Sequence, residues 1–170
     1  MASPEATVVT VGLSGGGEPV RLRFEPSEDP AAPGTESPWS LEAEPDWDRL
    51  EGIRMASARF EDGRALGVAA LRPRGANGHD DDVVIARLLD AEGQANVIEE
   101  ALVSVEFDAG GAPRRLGMEL WPESGGAPLR VAADRDESLP APTGRGDAVG
   151  MAFRLDGTGG TGLYEILRRN

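Results

Sequence analysis

The chain has 170 residues, enough for one domain with a sizeable core, and its 17 basic and 30 acidic residues give a formal charge of -13, which opposes binding to nucleic-acid phosphates or anionic membranes. It contains no lysine and no cysteine, which removes Schiff-base chemistry, the phosphate-loop lysine, disulfides, thiolate nucleophiles and zinc-thiolate centres. A single histidine excludes a multi-histidine metal site, and no basic leader or membrane-length apolar run occurs, so a soluble, cytoplasmic protein with no cofactor, no metal and no membrane insertion is expected.

Along the chain the dominant signal is alternation of apolar and polar residues in short segments, the period of a half-buried strand. Val20, Leu22 and Phe24 alternate with Arg21, Arg23 and Glu25. The stretch from about 26 to 38 is rich in proline and acidic residues and reads as a mobile surface loop. Trp39, Leu41 and Ala43 then alternate with Ser40, Glu42 and Glu44. "IRMASARF" (53–60) and "ALGVAAL" (65–71) carry small or apolar residues on both faces, which a covered barrel wall, a dimer interface or packing on another element would explain; a closed barrel with a partner surface, a homodimer, is expected.

In "DDVVIARLLDAEG" Val84, Ala86 and Leu88 can be read as helix or strand, and it is taken as a strand; Ala101 to Phe107 and Leu116 to Leu120 repeat the alternation. Between these runs lie the turn signals "EDGR", "DAEG", "DAGGAP", "ESGGAP" and "DGTGG", whose Gly, Asn and Asp residues supply the positive φ of tight hairpins. A second irregular stretch covers about 136–147. The reading is an all-β single domain over residues 1–170, an antiparallel meander of roughly ten strands forming a barrel or sandwich.

Near the C-terminus, "RLDGTGGTGLYEILRRN" places Gly157, Gly159 and Gly162 at the G-x-G-x-x-G spacing of a dinucleotide loop. That loop needs a crossover helix after it and an acidic residue about 20 positions on, and only eight residues follow Gly162, so a turn into a closing strand fits better. The order "WDR" at 47–49, "ARFEDG" at 58–63, a meander of hairpins and "GTGLYE" at 160–165 resembles the C-terminal half of the hydroxyneurosporene synthase-like (carotenoid hydratase-like) group, over roughly Trp39 to Arg169. The resemblance implies a lipocalin-like β-barrel of about 8–10 strands with an apolar lumen for an isoprenoid, polyketide or lipid-like molecule, and in some relatives non-oxidative chemistry on it. Such proteins commonly pair two barrels, whereas this chain holds one, and a homodimer would replace the missing half.

Two functions are therefore carried forward: binding of a small hydrophobic molecule in the lumen, and a hydratase, isomerase or cyclase acting on it. The second needs an acid in a dry pocket, for which Glu165 and Asp46 are the candidates. Glu165 would be buried if its face of the last strand lines the lumen, and solvated or paired with an arginine if Tyr164 and Ile166 face inward instead. Trp47, Arg49, Arg54, Arg59 and Tyr164 are the candidate ligand contacts, the arginines as carboxylate partners. Trp39 and Trp121 read as core or barrel-mouth residues. "GHDDD" at 78–82 reads as a solvated loop, and with His79 in it and no nucleophile elbow a Ser-His-Asp triad is not supported.

Overall fold

The structure, a computed structural model, describes residues 7–13, 17–26, 37–78, 81–139 and 147–169. Among the described residues there are eleven strands: β1 (Thr7–Val11), β2 (Val20–Phe24), β3 (Trp39–Leu41), β4 (Leu50–Phe60), β5 (Ala65–Pro73), β6 (Val83–Leu89), β7 (Ala95–Phe107), β8 (Pro113–Pro122), β9 (Leu129–Arg135), β10 (Asp147–Leu155) and β11 (Thr158–Leu167). Each consecutive pair from β4 to β11 is antiparallel, and β11 returns to pair with β4, closing an eight-stranded up-and-down barrel. Strands β1 to β3 form a separate antiparallel sheet. Among the described residues no helix is long and apolar enough to cross a membrane.

Two cores result from the period-2 alternation of β4 and β5. From β4, Ala56, Ala58 and Phe60 join Leu66, Val68, Met118 and Phe153 in the lumen. The opposite face of the same strands sends Ile53, Met55, Ala69 and Leu71 outward against Leu22, Phe24 and Trp39 of the small sheet. Each large side chain withdrawn from water on either side contributes about 1.5–3 kcal/mol. The doubly apolar strands that suggested a partner are thus covered by the chain's own sheet. Phe24 and Trp39 meet with ring centroids 4.8 Å apart, and the Trp39 indole N–H donates to the Ala56 carbonyl at 3.2 Å. The Phe24 ring lies over Gly67, where a Cβ would approach it to 2.5 Å.

The C-terminal glycines divide their work. Asp156 (φ 47°) and Gly157 (φ 92°) form the two-residue turn between β10 and β11, with the paired positive φ of a tight hairpin. Gly162 lies where β11 runs against β4, and a Cβ there would overlap the Ser57 carbonyl oxygen. The phosphate-loop spacing is therefore a turn followed by a strand seam.

One seam of the wall is short. β6 and β7 pair through Arg87–Val97, Leu88–Asn96 and Leu89–Ala95, next to their turn, and no further pairing joins them among the described residues. β7 carries a register irregularity against β8 between Ile98 and Glu100, the kind of bulge that bends a strand. The end of the barrel where β4, β6, β8 and β10 begin is here called the mouth. The opposite end, the base, is filled by Phe60, Leu66, Leu88, Leu120 and Leu155, all buried.

Most sequence expectations for strands match elements, including β6. Trp121 differs: it stands on the outer face of β8 and is 36% exposed rather than in the core. The expected mobile stretches 26–38 and 136–147 lie largely outside the described residues, as do His79 and Asp80 of "GHDDD".

Candidate functional site

Near the mouth, the lumen-facing side chains Val84, Val103, Val105, Val149 and Ile166 pack on the inner core yet stay partly exposed. Val84 comes from β6 and Val103 and Val105 from β7, the neighbours with the shortest hydrogen-bonded ladder of the barrel among the described residues. Together they outline an apolar cup above the filled base.

Tyr164 contributes the polar atom of this cup. It alternates with Leu163 and Glu165 on β11 and belongs to the inner core, 2% exposed, while its hydroxyl oxygen is buried with no hydrogen-bond partner of good geometry. Burial pushes the hydroxyl pKa up; the Arg54 guanidinium is close enough to pull it back, Asp82 adds to the rise and Arg168 opposes it. These influences place the hydroxyl toward the mouth. On β4, Arg54 alternates with the outward-facing Ile53 and Met55 and so points inward, opposite Ile166 and diagonal to Tyr164. Its guanidinium carbon lies 5.9 Å from the centroid of Phe107, at the end of β7.

The rim carries two further pairs. Arg72 Nε donates to Asp82 at 2.9 Å, and that hydrogen bond holds the Arg72 pKa above its usual value. Arg135 donates to Asp108 at 2.7 Å, and chiefly this bond, with the amide of Ala112, lowers the Asp108 pKa. With Arg54 and Arg168, four arginines stand near the mouth against Asp82, Asp108 and Asp147, in a protein of charge -13.

Glu165 occupies neither position foreseen for it. Tyr164 and Ile166 do face inward, so the carboxylate points out of the barrel, yet it is 4% exposed. Its register neighbours are Met55 of β4 and Ala148 of β10, and the Ser37 hydroxyl donates to it from the chain leading into β3. Burial raises its pKa to about 7, against a smaller lowering from Ser37. It is a buried acid between barrel wall and sheet, not a lumen acid.

The remaining candidates are scattered. Asp46 is exposed and holds the turn before β4, its carboxylate accepting from the Asp48 amide at 3.0 Å. Trp47 is buried in the outer core, and its indole N–H donates to Glu44 at 2.7 Å. Arg49 is partly buried beside Gly17, and Arg59 faces away from the lumen between Ala58 and Phe60. Of the seven candidates, Arg54 and Tyr164 come together in the cup. Phe107 and the valines were not singled out from sequence; the alternation in "ALVSVEF" put them on one face, but nothing local said that this face borders an opening.

A second concavity lies on the outer wall, an open groove of about 920 Å³. Its floor is the cross-strand row Ser104, Gly117 and Ala132, ending at Arg154. On one side stand Leu102, Glu119 and Arg130, and on the other Arg115 bonds Asp134 at 3.0 Å. The groove exists because the small residues Ser104, Gly117 and Ala132 align across the sheet. Among the described residues no three His, Cys, Asp or Glu side chains gather as a metal site. No protein-family model, no curated protein and no solved structure matches this chain.

Proposed function

We propose that the barrel binds a small apolar molecule in the mouth half of its lumen. The observation that carries this reading is the set of inward apolar side chains, Val84, Val103, Val105, Val149 and Ile166, left partly exposed above a sealed base. Apolar surface facing inward without being covered retains a driving force for a ligand, and a concave apolar site with few polar groups is the usual form of a small-molecule pocket. This agrees with what the resemblance to the carotenoid hydratase-like group implies for its lumen.

Binding is favoured over hydration or cyclisation because such chemistry needs a protonated carboxyl group in the cup. Glu165 lies on the opposite face of β11, and Asp82 is engaged by Arg72. The test is titration with an apolar fluorophore, 1-anilinonaphthalene-8-sulfonate, against the wild type and Val105→Trp. The indole fills the cup, so Val105→Trp is expected to lose the saturable signal while keeping its unfolding midpoint. Equal dye binding by both proteins would refute a lumen site.

A further inference from the structure

We propose that the molecule held in the cup carries a neutral carbonyl oxygen that accepts the hydrogen bond of the Tyr164 hydroxyl, the rest of its skeleton being apolar. This rests on the binding reading above and names the chemistry of its ligand.

The Tyr164 side chain is 2% exposed, and among the described residues its hydroxyl has no acceptor for its proton. A hydroxyl buried in this way forfeits the hydrogen bonds it made in water, and native proteins rarely leave such an atom without a reason. A phenylalanine would fill the same space in the inner core without that cost. The nearby Arg54 guanidinium carries donors alone, so any approach it makes to the phenolic oxygen leaves the O–H proton still to be satisfied. Burial, which raises the hydroxyl pKa, keeps that proton in place at neutral pH.

The hydroxyl and the apolar lining form one site. Tyr164 and Ile166 share a face of β11, and Val149 of β10 is the cross-strand neighbour of Tyr164. Val84, Val103 and Val105 belong to β6 and β7 on other parts of the same wall. A molecule whose oxygen meets Tyr164 therefore has apolar side chains against its remainder.

The kind of oxygen follows from the surroundings. Charges of both signs act on the hydroxyl, Arg54 and Arg168 favouring its ionised form and Asp82 opposing it, so an entering carboxylate would meet an acid as well as the arginines. An alcohol would bring a second donor into a lining of valine and isoleucine. A hydrocarbon would leave the hydroxyl as it is. A carbonyl oxygen accepts one hydrogen bond and requires nothing further of the wall.

The experiment uses the full chain in equilibrium dialysis at pH 7.5 with 2-acetylnaphthalene, its isosteric alkene 2-isopropenylnaphthalene, and naphthalene-2-carboxylate. Tyr164→Phe is expected to weaken the ketone by roughly five- to tenfold and to leave the alkene unchanged. The infrared C=O stretch of the bound ketone should lie at lower frequency in the wild type than in Tyr164→Phe, a signature that a purely structural role for the hydroxyl would not produce. Val105→Trp should abolish binding of both. If Tyr164→Phe changes ketone and alkene alike, or weakens the carboxylate and not the ketone, the carbonyl assignment is overturned while the binding reading stands. If none of the three probes binds the wild type saturably, the binding reading itself fails and this proposal with it.

Discussion

Arg54 and Phe107 meet across the mouth of the barrel, guanidinium carbon to ring centroid 5.9 Å, joining β4 to a strand three places away around the wall. The contact links two strands that do not pair, on the mouth side of the barrel. An exposed cation–aromatic contact contributes about 0.5–1 kcal/mol, so under the proposed binding function it is weak enough to open for an entering molecule. Phe107→Ala is therefore expected to cost no more than about 1 kcal/mol in urea unfolding while speeding both association and release of 1-anilinonaphthalene-8-sulfonate. Stopped-flow rates equal to the wild type would remove the gating role.

The pH dependence of stability should carry the mark of Glu165. Its folded pKa of about 7 lies above the ordinary value of 4.5, so between those values the folded protein holds a proton that the unfolded chain has released. Stability should fall as pH rises through this window and level off above it, with a deficit of about 3 kcal/mol if the whole rise is realised. Glu165→Gln keeps a hydrogen-bonding partner for Ser37 without the charge. Urea titrations at pH 5 and pH 8 should show the two proteins similar at the lower pH and the variant more stable at the higher. A wild-type stability that climbs over this range in parallel with the variant would contradict the burial of that carboxyl.

Gly162 and Gly67 are fixed by backbone or ring contact rather than by turn geometry. At Gly162 any Cβ meets the Ser57 carbonyl across the closing seam, so Gly162→Ala should cost more than about 3 kcal/mol or prevent folding altogether. At Gly67 the obstacle is the Phe24 ring, which can shift, so Gly67→Ala should cost about 1–3 kcal/mol and loosen the small sheet. Thermal unfolding ranks them; a Gly162→Ala protein as stable as the wild type would mean that the seam is wider than described.

Tyr164→Phe offers a prediction of opposite sign. In the absence of ligand it removes an unsatisfied buried hydroxyl, and stability should rise by about 1 kcal/mol. A loss of stability on denaturant unfolding would mean that the hydroxyl already has a partner within the protein.

The strands were legible because alternation is local: "VRLRFE" and "ALVSVEF" each show one apolar face, and "DG" at 156–157 states its own turn type. The direction of each face was not. In β4 and β5 both faces are apolar, and period-2 alternation cannot say which side is the lumen when another sheet covers the outside. Glu165 shows the consequence, since its burial depends on β1 to β3, over a hundred residues away in sequence. Arg54 and Tyr164 stood out by chemistry, whereas Phe107 and Val105 matter because of their place beside the short β6–β7 ladder, which no motif marks.

The small sheet seated on β4 and β5 has one more consequence, for what this protein can offer to other macromolecules. With Phe24 locked over Gly67 and Trp39 tied to Ala56, the apolar outer face of β4 and β5 is withdrawn from contact. What remains on view is the β7–β10 side, where Val97, Leu102 and Trp121 are exposed beside arginines and carboxylates. A docking partner would therefore meet a charged, sparsely apolar face turned away from the sheet, and recognition there could proceed without disturbing either core.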